Sequence, residues 1–392
     1  MLKKFFHYLF HGGLITAEVV AMCAIVSLLS YSSMYFDPIK QTWANFQVTD
    51  TYFQMENANA ENVADFNSDI VLYDISQCYS RAEIAAGIQR LYDYGAKVIA
   101  LDVIFGGMGQ DTIASDSLLR VIDRCDDRIV AACRMVPSYD SFYKEHSFFV
   151  PLTNCVEASV NVENETVRHF YKNLTFGDTC LNTFVYEIMR LGYPDEFRKW
   201  VNLEESNDKG EYLIHYKQLF FNRLHIYDDL FEDEVKDKII LMGDFQDLRD
   251  FHNIPVPLDG VRRICGTTIH GYSISTMTED NRFINEWSDM TNLLIGLLVT
   301  LLFATLCAYV SEVYMDLSGF MITVAQLILM FVLIFLAAYI FINHQCNMGL
   351  LYVMLGTGLA GFCAEIHYFV LMKLNSTNKV ADLRKNKENT EK

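Results

Sequence analysis

Four long apolar stretches limit what this chain can fold into. They run from about Gly12 to Phe36, from Asn292 to Val310, from Leu317 to Ile342 and from Gly349 to Met372. About 20 apolar helical residues are enough to cross a bilayer, and each stretch is long enough. Because lipid cannot satisfy backbone hydrogen bonds, each stretch is predicted to be a membrane-spanning helix.

Basic residues near the ends of the chain predict its orientation. Lys3 and Lys4 precede the first stretch, and a basic tail, 373–392, follows the fourth. The positive-inside rule then places both termini in the cytoplasm. The predicted division is a cytoplasmic N-terminus with the first span over 1–36, an exported domain over 37–289, three spans over 290–372 and the tail. In the alternative, the first stretch is a signal peptide cleaved near Ser30–Ser32.

The charge of the chain is concentrated in the segment between the first and second apolar stretches. The chain has a net charge of −18, and residues 34–289 alone hold 42 acidic and 23 basic residues. An acidic domain repels phosphate backbones, so we expect no nucleic-acid partner. The same acidity favours cationic ligands or metal ions over anionic ligands.

Two carboxylates interrupt the apolar stretches. Glu18 lies in the first and Glu365 in the fourth. An intramembrane carboxylate is costly, which makes each a candidate for buried function. The alternative is that each lies near enough to a helix end to be hydrated, or bonds a neighbouring helix.

The segment 37–289 alternates between strand and helix patterns. Asp69–Ile75 and Lys97–Val103 have the composition of buried strands. Between them, Ser80 and Glu83 form a capping-box pattern that begins a helix, and Gly95 is placed to end it. The alternation continues to the end of the segment and predicts an α/β domain, with helices on both faces of a mainly parallel sheet.

The order of these elements resembles the type-2 CHASE family of extracellular sensory domains, found on bacterial adenylate cyclases and histidine kinases. One span, an exported domain and three further spans are similar in arrangement. The matching segments are Asp69–Ile75, Tyr94–Phe105, Ala158–Arg168, Asp237–Gly243, Asp250–Pro255 and Gly266–Gly271.

The resemblance implies a sensor in a bacterial inner membrane, with its large domain in the periplasm. Two departures from the family pattern stand out. Asn253-Ile254 replaces the usual Thr before Pro255, and only about 20 residues follow the fourth span. That is too few for a kinase or cyclase output domain, so we expect any signal to pass to a separate protein.

The candidate ligand-binding residues are acidic and imidazole side chains. Asp74 and Asp102 are expected at the carboxyl ends of neighbouring parallel strands, where ligands of open α/β sheets bind. Further members come from the end of a later strand, the loop after it and the next helix. The full candidate set is Asp74, Asp102, Asp244, Asp250, His252 and His270.

Two interpretations of this set stay open. Mixed carboxylate and imidazole ligands can hold a divalent metal. A hydrogen-bonded network that caps helices and fixes loops explains the same residues. No nucleophile elbow, phosphate loop or zinc-protease motif is present, so we expect no enzyme activity and no cofactor.

Ten cysteines are present, six of them in the exported segment. An oxidising compartment permits disulfides, and six cysteines allow 15 pairings. Unpaired buried thiols are the alternative, because the domain has enough apolar residues to fold without disulfides. The absence of a C-x-x-C pair argues against a structural zinc site.

Three functions fit the sequence. The first is a membrane-anchored sensor or adaptor that binds a small ligand or a partner and relays to a separate signalling protein. The second is a structural docking subunit of a cell-envelope complex, and the third an exported enzyme. The tail is expected to contact membrane lipid or a partner. Whether the chain forms a homodimer stays open.

Overall fold

The computed structural model describes residues 2–32, 48–59, 65–139, 141–162, 166–195, 197, 210–279, 282–314 and 317–390. The chain divides into two compact units, one of residues 49–284 and one of residues 1–48 with 285–392. The first unit contains the predicted α/β domain and the second the predicted membrane helices. Residues 33–36 of the first predicted span lie outside the described residues.

A mainly parallel sheet forms the centre of unit 49–284. Its strands, in spatial order from one edge, are β10 (Leu219–His225), β1 (Asp65–Asp74), β11 (Ile239–Gly243), β2 (Val98–Leu101) and β3 (Ile129–Pro137), with β4 (Phe142–His146) and β5 (Val156–Ser159) both paired to β3. Only β4 runs antiparallel within this sheet. The predicted mainly parallel sheet is confirmed.

Short antiparallel pairs of strands lie outside the main sheet. They are β6 (His169–Tyr171) with β9 (Glu211–Leu213), β7 (Asn173–Phe176) with β8 (Thr179–Asn182), and β12 (Phe251–Leu258) with β13 (Val261–Cys265). Neither edge strand β10 nor the β12–β13 hairpin was predicted from the sequence. Strand β10 mixes apolar and polar residues, as an edge strand does, and so lacks the buried-strand pattern.

Helices cover both faces of the sheet, as predicted. Among the described residues, the α-helices of this unit are α2 (Val48–Asn59), α3 (Arg81–Asp93), α4 (Thr112–Arg124), α5 (Phe184–Gly192), α6 (Glu232–Val235) and α7 (Gly266–Thr278). Ile88 of α3 and Leu118 of α4 pack in one buried cluster with Tyr73 of β1. On the other face, a Cβ added at Gly192 of α5 would lie 3.1 Å from Ile239 of β11, and one added at Gly271 of α7 would lie 3.2 Å from Phe221 of β10.

Helix α3 has the predicted ends. The Ser80 side chain accepts a hydrogen bond from the Glu83 amide, and the Glu83 carboxylate accepts one from the Ser80 amide. Gly95 follows the helix with φ +82°, the left-handed conformation that favours glycine. The capping box and the glycine stop are both confirmed.

Four helices of the second unit are long and apolar enough to cross a membrane. They are α1 (Leu2–Ser32), α8 (Asp289–Val313), α9 (Ser318–His344) and α10 (Leu351–Thr390). Two short strands, β14 (Asn285–Glu286) and β15 (Cys346–Asn347), pair before α8 and after α9. The four predicted spans are therefore confirmed as helices.

Small residues let the membrane helices pack closely. A Cβ added at Gly12 of α1 would lie 2.9 Å from the Thr305 backbone of α8. One added at Gly356 of α10 would clash with the Thr300 side chain of α8. Helices in lipid associate largely through such close contacts. Glu18 lies 2.8 Å from His367 and so bonds a neighbouring helix, whereas Glu365 is exposed.

Candidate functional site

The carboxyl ends of three parallel strands carry the acidic candidates. Asp74 is the last residue of β1, Asp102 follows β2 and Asp244 follows β11. Strand β11 lies between β1 and β2, with Gly243 in register with Asp74. The prediction that Asp74 and Asp102 end neighbouring strands was therefore wrong. The chain returns later and inserts β11 between two strands that are consecutive in sequence.

Asp74 is buried, and its carboxylate accepts hydrogen bonds from two neighbouring groups. Its Oδ2 accepts a hydrogen bond from Arg223 of β10 at 2.8 Å, and its Oδ1 one from the Ser76 amide at 2.9 Å. Burial alone would raise the pKa of Asp74, but these hydrogen bonds and the Arg223 charge lower it overall. The Arg223 guanidinium also lies 4.5 Å from the centre of the Phe245 ring.

Asp102 has a different environment. Its side chain is only 6% exposed and its Oδ2 accepts a hydrogen bond from Thr267 of α7 at 2.7 Å. The His270 Nε2 lies 3.9 Å from the same oxygen. Burial raises the pKa of Asp102 and the Asp250 charge adds to the increase, while His270 opposes both.

Asp250 immediately precedes β12 and His252 lies in that strand, close to the first turn of α7. The Asp250 Oδ2 accepts a hydrogen bond from the Gly266 amide at 3.1 Å and lies 3.2 Å from the Cys265 Sγ. A carboxylate at a helix N-terminus satisfies a free amide and complements the helix dipole. The His252 Nε2 is 3.6 Å from the other Asp250 oxygen.

The structure therefore divides the six candidates into three groups. Asp102, Asp250, His252 and His270 gather around the first turn of α7, and each of the other three lowers or raises the pKa of Asp102. Asp74 pairs with Arg223 instead. The Asp244 side chain accepts hydrogen bonds from the amides of Gln246 and Asp247, which lie in the same loop after β11.

These contacts bear on the two interpretations of the set. Within the described ranges, no group of three or more His, Cys, Asp and Glu side chains is placed to hold a metal ion. The carboxylates instead accept hydrogen bonds from amides, a hydroxyl and a guanidinium. The geometry favours the network that fixes strand ends and the start of α7.

A pocket of about 310 Å³ adjoins this network. Its walls come from β10, the β12–β13 hairpin and α7. Two of its residues, Arg223 and Cys265, are also the partners of Asp74 and Asp250. The volume is at the lower end of the range for small-molecule sites. The pocket is lined by Gln218, Leu219, Phe220, Arg223, Phe245, Phe251, Leu258, Asp259, Val261, Arg263, Ile264, Cys265, Thr268 and Tyr272.

Helix α2, which follows the first span along the chain, is fixed by buried polar contacts that sequence reasoning did not predict. Arg168 forms a two-point ion pair with Asp50 of α2. His215 lies 2.8 Å from Glu56 of the same helix and is 2% exposed. The partners are 118 and 159 residues apart, so no local pattern pairs them. Only the family resemblance had singled out Arg168.

His215 also connects α2 to the other end of the domain. Its amide donates a hydrogen bond to the Thr276 hydroxyl of α7, and its carbonyl accepts one from Arg282. Arg282 is 1% exposed and pairs with Glu279 at 2.8 Å. The chain enters the domain through α2 and leaves it after Arg282. The buried His215 therefore contacts both the first helix and the last residues of the domain.

All ten cysteines belong to the described residues, and all are free thiols. The unpaired alternative is thus what the structure shows. Burial and the neighbouring Asp250 raise the pKa of Cys265 to about 12. Burial likewise raises the pKa of Cys133 to about 12. These thiols are poor nucleophiles at neutral pH.

Comparison with known proteins gives one match. A family model described as the CHASE2 domain matches residues 20–306 of the chain. No curated protein and no solved structure matches significantly. The matched range takes in the C-terminal part of α1 from residue 20 onward, all of the α/β domain and α8 as far as residue 306.

Proposed function

The chain belongs to the CHASE2 domain family, whose members are extracellular sensory domains, and from that premise we propose a specific arrangement. The protein is a membrane-anchored sensor of the bacterial inner membrane, with both termini cytoplasmic and the α/β domain outside. Its domain binds a small ligand and relays the change through the membrane helices to a separate protein. It does so without catalysing a reaction.

The pocket of about 310 Å³ is the observation that carries this proposal. Thr268 and Tyr272 of α7 form part of its wall, and the Tyr272 hydroxyl donates to the Leu219 carbonyl at 3.2 Å. One turn further along α7, Thr276 contacts His215, which in turn contacts Glu56 of α2. A ligand that moves α7 would therefore act on the helix that leads to the first span.

The residues of the pocket indicate the class of ligand. Arg263 contributes a positive charge and Asp259 a negative one, and Arg223 adds a second positive charge that it shares with the Asp74 carboxylate. The other wall residues are mostly apolar or aromatic. We propose an anionic ligand with an apolar body, such as an aromatic carboxylate. The local charges thus favour the opposite sign from that suggested by the net acidity of the domain.

Thermal unfolding of the full chain in detergent tests this proposal with named probes. Benzoate, phenylacetate and indole-3-acetate are compared with their uncharged amides. At least one carboxylate should raise the unfolding temperature in a saturable way, because a ligand that binds only the folded state stabilises it. The matched amide should have no effect.

Two neighbouring arginines provide the variant and its control. Arg263 lines the pocket, whereas the adjacent Arg262 of β13 does not. Arg263→Gln should remove the stabilisation and Arg262→Gln should keep it. Equal responses of both variants, or no response from any carboxylate, would count against the pocket. A stable partner that co-purifies without any ligand would favour the docking-subunit alternative instead.

A further inference from the structure

The membrane unit contains a row of ionisable side chains that the proposed sensor function does not use. His7, His11 and Glu18 of α1 are four and seven residues apart. At 100° per residue, their directions differ by only about 40° around the helix axis, so they share one face. Ile15, which is buried in the helix bundle, lies about 40° around the axis from His11.

Two further helices complete the row. The His11 Nδ1 lies 3.0 Å from the His367 Nε2 of α10, and the His367 Nδ1 lies 2.8 Å from the Glu18 Oε1. His7 and Glu312 of α8 form a second pair at 2.9 Å. The rings of His7 and His11 are in edge contact, with centroids 4.7 Å apart. Five side chains thus join three helices.

The central imidazole is well shielded. His367 is 9% exposed, whereas the side chain of Glu18 is 41% exposed on a helix that is apolar enough to span a membrane. A carboxylate at such a position is costly unless it is paired or neutralised. His367 is its hydrogen-bonding partner among the described residues.

The groups that face this row are tyrosines and thiols. The tyrosines are Tyr8 of α1, Tyr309 of α8 and Tyr368 of α10, whose buried hydroxyl has no partner among the described residues. The thiols are Cys23, Cys307 and Cys363. The titratable groups of helix α9 are Tyr339 and His344, which lie near its C-terminus. Glu365 points elsewhere, towards Gly319.

We propose that His11, His367 and Glu18 form a proton-binding site that links α1 to α10 inside the membrane unit. With the proton bound, His367 is an imidazolium that donates one hydrogen bond to the Glu18 carboxylate and one to the His11 ring. When the proton leaves, His367 keeps one N–H. With that N–H on Nδ1, it still donates to the Glu18 carboxylate, while Nε2 becomes the acceptor of a hydrogen bond from the His11 Nδ1–H, and the bonds lose the contribution of the imidazolium charge. The proton exchanges with solvent, so no other reactant is needed.

The second pair gives the site a route to solvent. Glu312 is the second-last residue of α8 and His7 lies in the second turn of α1, so both are near helix ends. Their side chains are 45% and 49% exposed. His7 touches His11 and can pass a proton towards it through a bridging water. The proton bound at His367 would then follow the pH at that end of the bundle.

Nitrogen NMR of the full chain in detergent, with ¹⁵N-labelled histidine, tests this inference. Imidazolium and neutral imidazole have distinct ring-nitrogen shifts, so each histidine can be titrated from about pH 5 to about pH 8. His367 should change between these forms in that range, with His11 responding at the same midpoint. His367 that stays neutral throughout, or that titrates independently of His11, would overturn the proposal.

Carboxylate variants sharpen the result. Glu18→Gln should move the His367 midpoint by at least one pH unit, a tenfold change in proton affinity. Glu365→Gln, which removes a carboxylate two residues from His367, should leave the midpoint unchanged. Equal midpoints in Glu18→Gln and the wild type would overturn the proposal. If Glu18→Gln does not fold, the wild-type coupling of His11 and His367 still decides the question.

Discussion

The guanidinium of Arg168 forms a two-point ion pair with the carboxylate of Asp50. Its Nε lies 3.1 Å from Oδ1 and its Nη2 lies 2.7 Å from Oδ2. Both side chains are less than 10% exposed. Because Asp50 lies in the first turn of α2, this ion pair fixes the start of the helix that follows the first span. We regard it as the anchor that makes α2 part of the sensory domain.

Loss of one partner of this ion pair should be strongly destabilising. Arg168→Met removes the Arg168 charge from the buried Asp50 carboxylate and should cost about 3–5 kcal/mol of unfolding free energy. The double variant Arg168→Met with Asp50→Leu should recover much of that loss. Pulse proteolysis of the full chain in urea measures each value.

An exposed pair of the same chemistry serves as the control. Arg249 and Asp247 are 2.7 Å apart, but the Arg249 side chain is 91% exposed. Arg249→Met should therefore change the unfolding free energy far less than Arg168→Met does. Similar losses for Arg168→Met and Arg249→Met would show that Arg168 does not anchor α2.

Asp74 and Asp102 should respond to pH in opposite ways. The native pKa of Asp74 is lowered, so its stabilisation is present above the unfolded pKa of about 4 and is lost as the pH falls through the native value. Asp74→Asn should therefore cost about 1.5–3 kcal/mol at neutral pH, because a hydrogen bond to a charged group is weakened. The difference from the wild type should shrink in acid.

The native pKa of Asp102 is raised, which reverses the direction in which its contribution to stability changes with pH. The wild type loses stability as the pH rises from about 4 through the native pKa of Asp102. Asp102→Asn removes that loss. The stability of the variant relative to the wild type should therefore be higher at neutral pH than at pH 4. Urea midpoints across this range measure both variants. Parallel pH profiles for Asp74→Asn and Asp102→Asn would contradict the assigned environments.

The free thiols of the domain should differ sharply in reactivity. Cys180 is exposed, whereas Cys133 and Cys265 are buried with their pKa raised to about 12. Iodoacetamide at neutral pH should modify Cys180 in the native chain and leave the two buried thiols unmodified until urea is added. Peptide mass spectrometry reads each site. A disulfide between any of these cysteines in the native chain would contradict the structure.

Adjacent glycines of α1 should differ in their tolerance of side chains. Gly12 faces Thr305 closely, while a Cβ at Gly13 would have nothing within 4 Å. Gly12→Leu should separate α1 from α8 and lower the thermal unfolding midpoint of the detergent-solubilised chain by several degrees. Gly13→Leu should leave it nearly unchanged. An equal response to both would mean that α1 does not pack on α8 through Gly12.

Local patterns predicted the parts of this fold that depend on local physics. The capping box of Ser80 and Glu83, the glycine stop at Gly95 and the buried strands follow from a few consecutive residues. The insertion of β11 between β1 and β2 does not, because strand order depends on contacts between distant segments. For that reason Asp74 and Asp102 were wrongly expected on neighbouring strands.

The candidate site was predictable only in part. The predicted strand ends and the predicted helix start place Asp74, Asp102, Asp244 and His270 on the elements where the structure has them. Their partners Arg223 and Thr267 were missed, because each comes from an element distant in sequence. The pocket wall was missed as well, since β10 and the β12–β13 hairpin lack the pattern of buried strands.

The account depends on the α/β domain and the C-terminal tail lying on opposite sides of one membrane. A membrane-impermeant maleimide applied to intact spheroplasts tests this most directly, with Cys180 as the reporter in the domain and Ser376→Cys as the reporter in the tail. The account predicts that Cys180 is labelled in intact spheroplasts and that the tail cysteine is labelled only after permeabilisation. Labelling of the tail cysteine in intact spheroplasts, with Cys180 protected until permeabilisation, would contradict it.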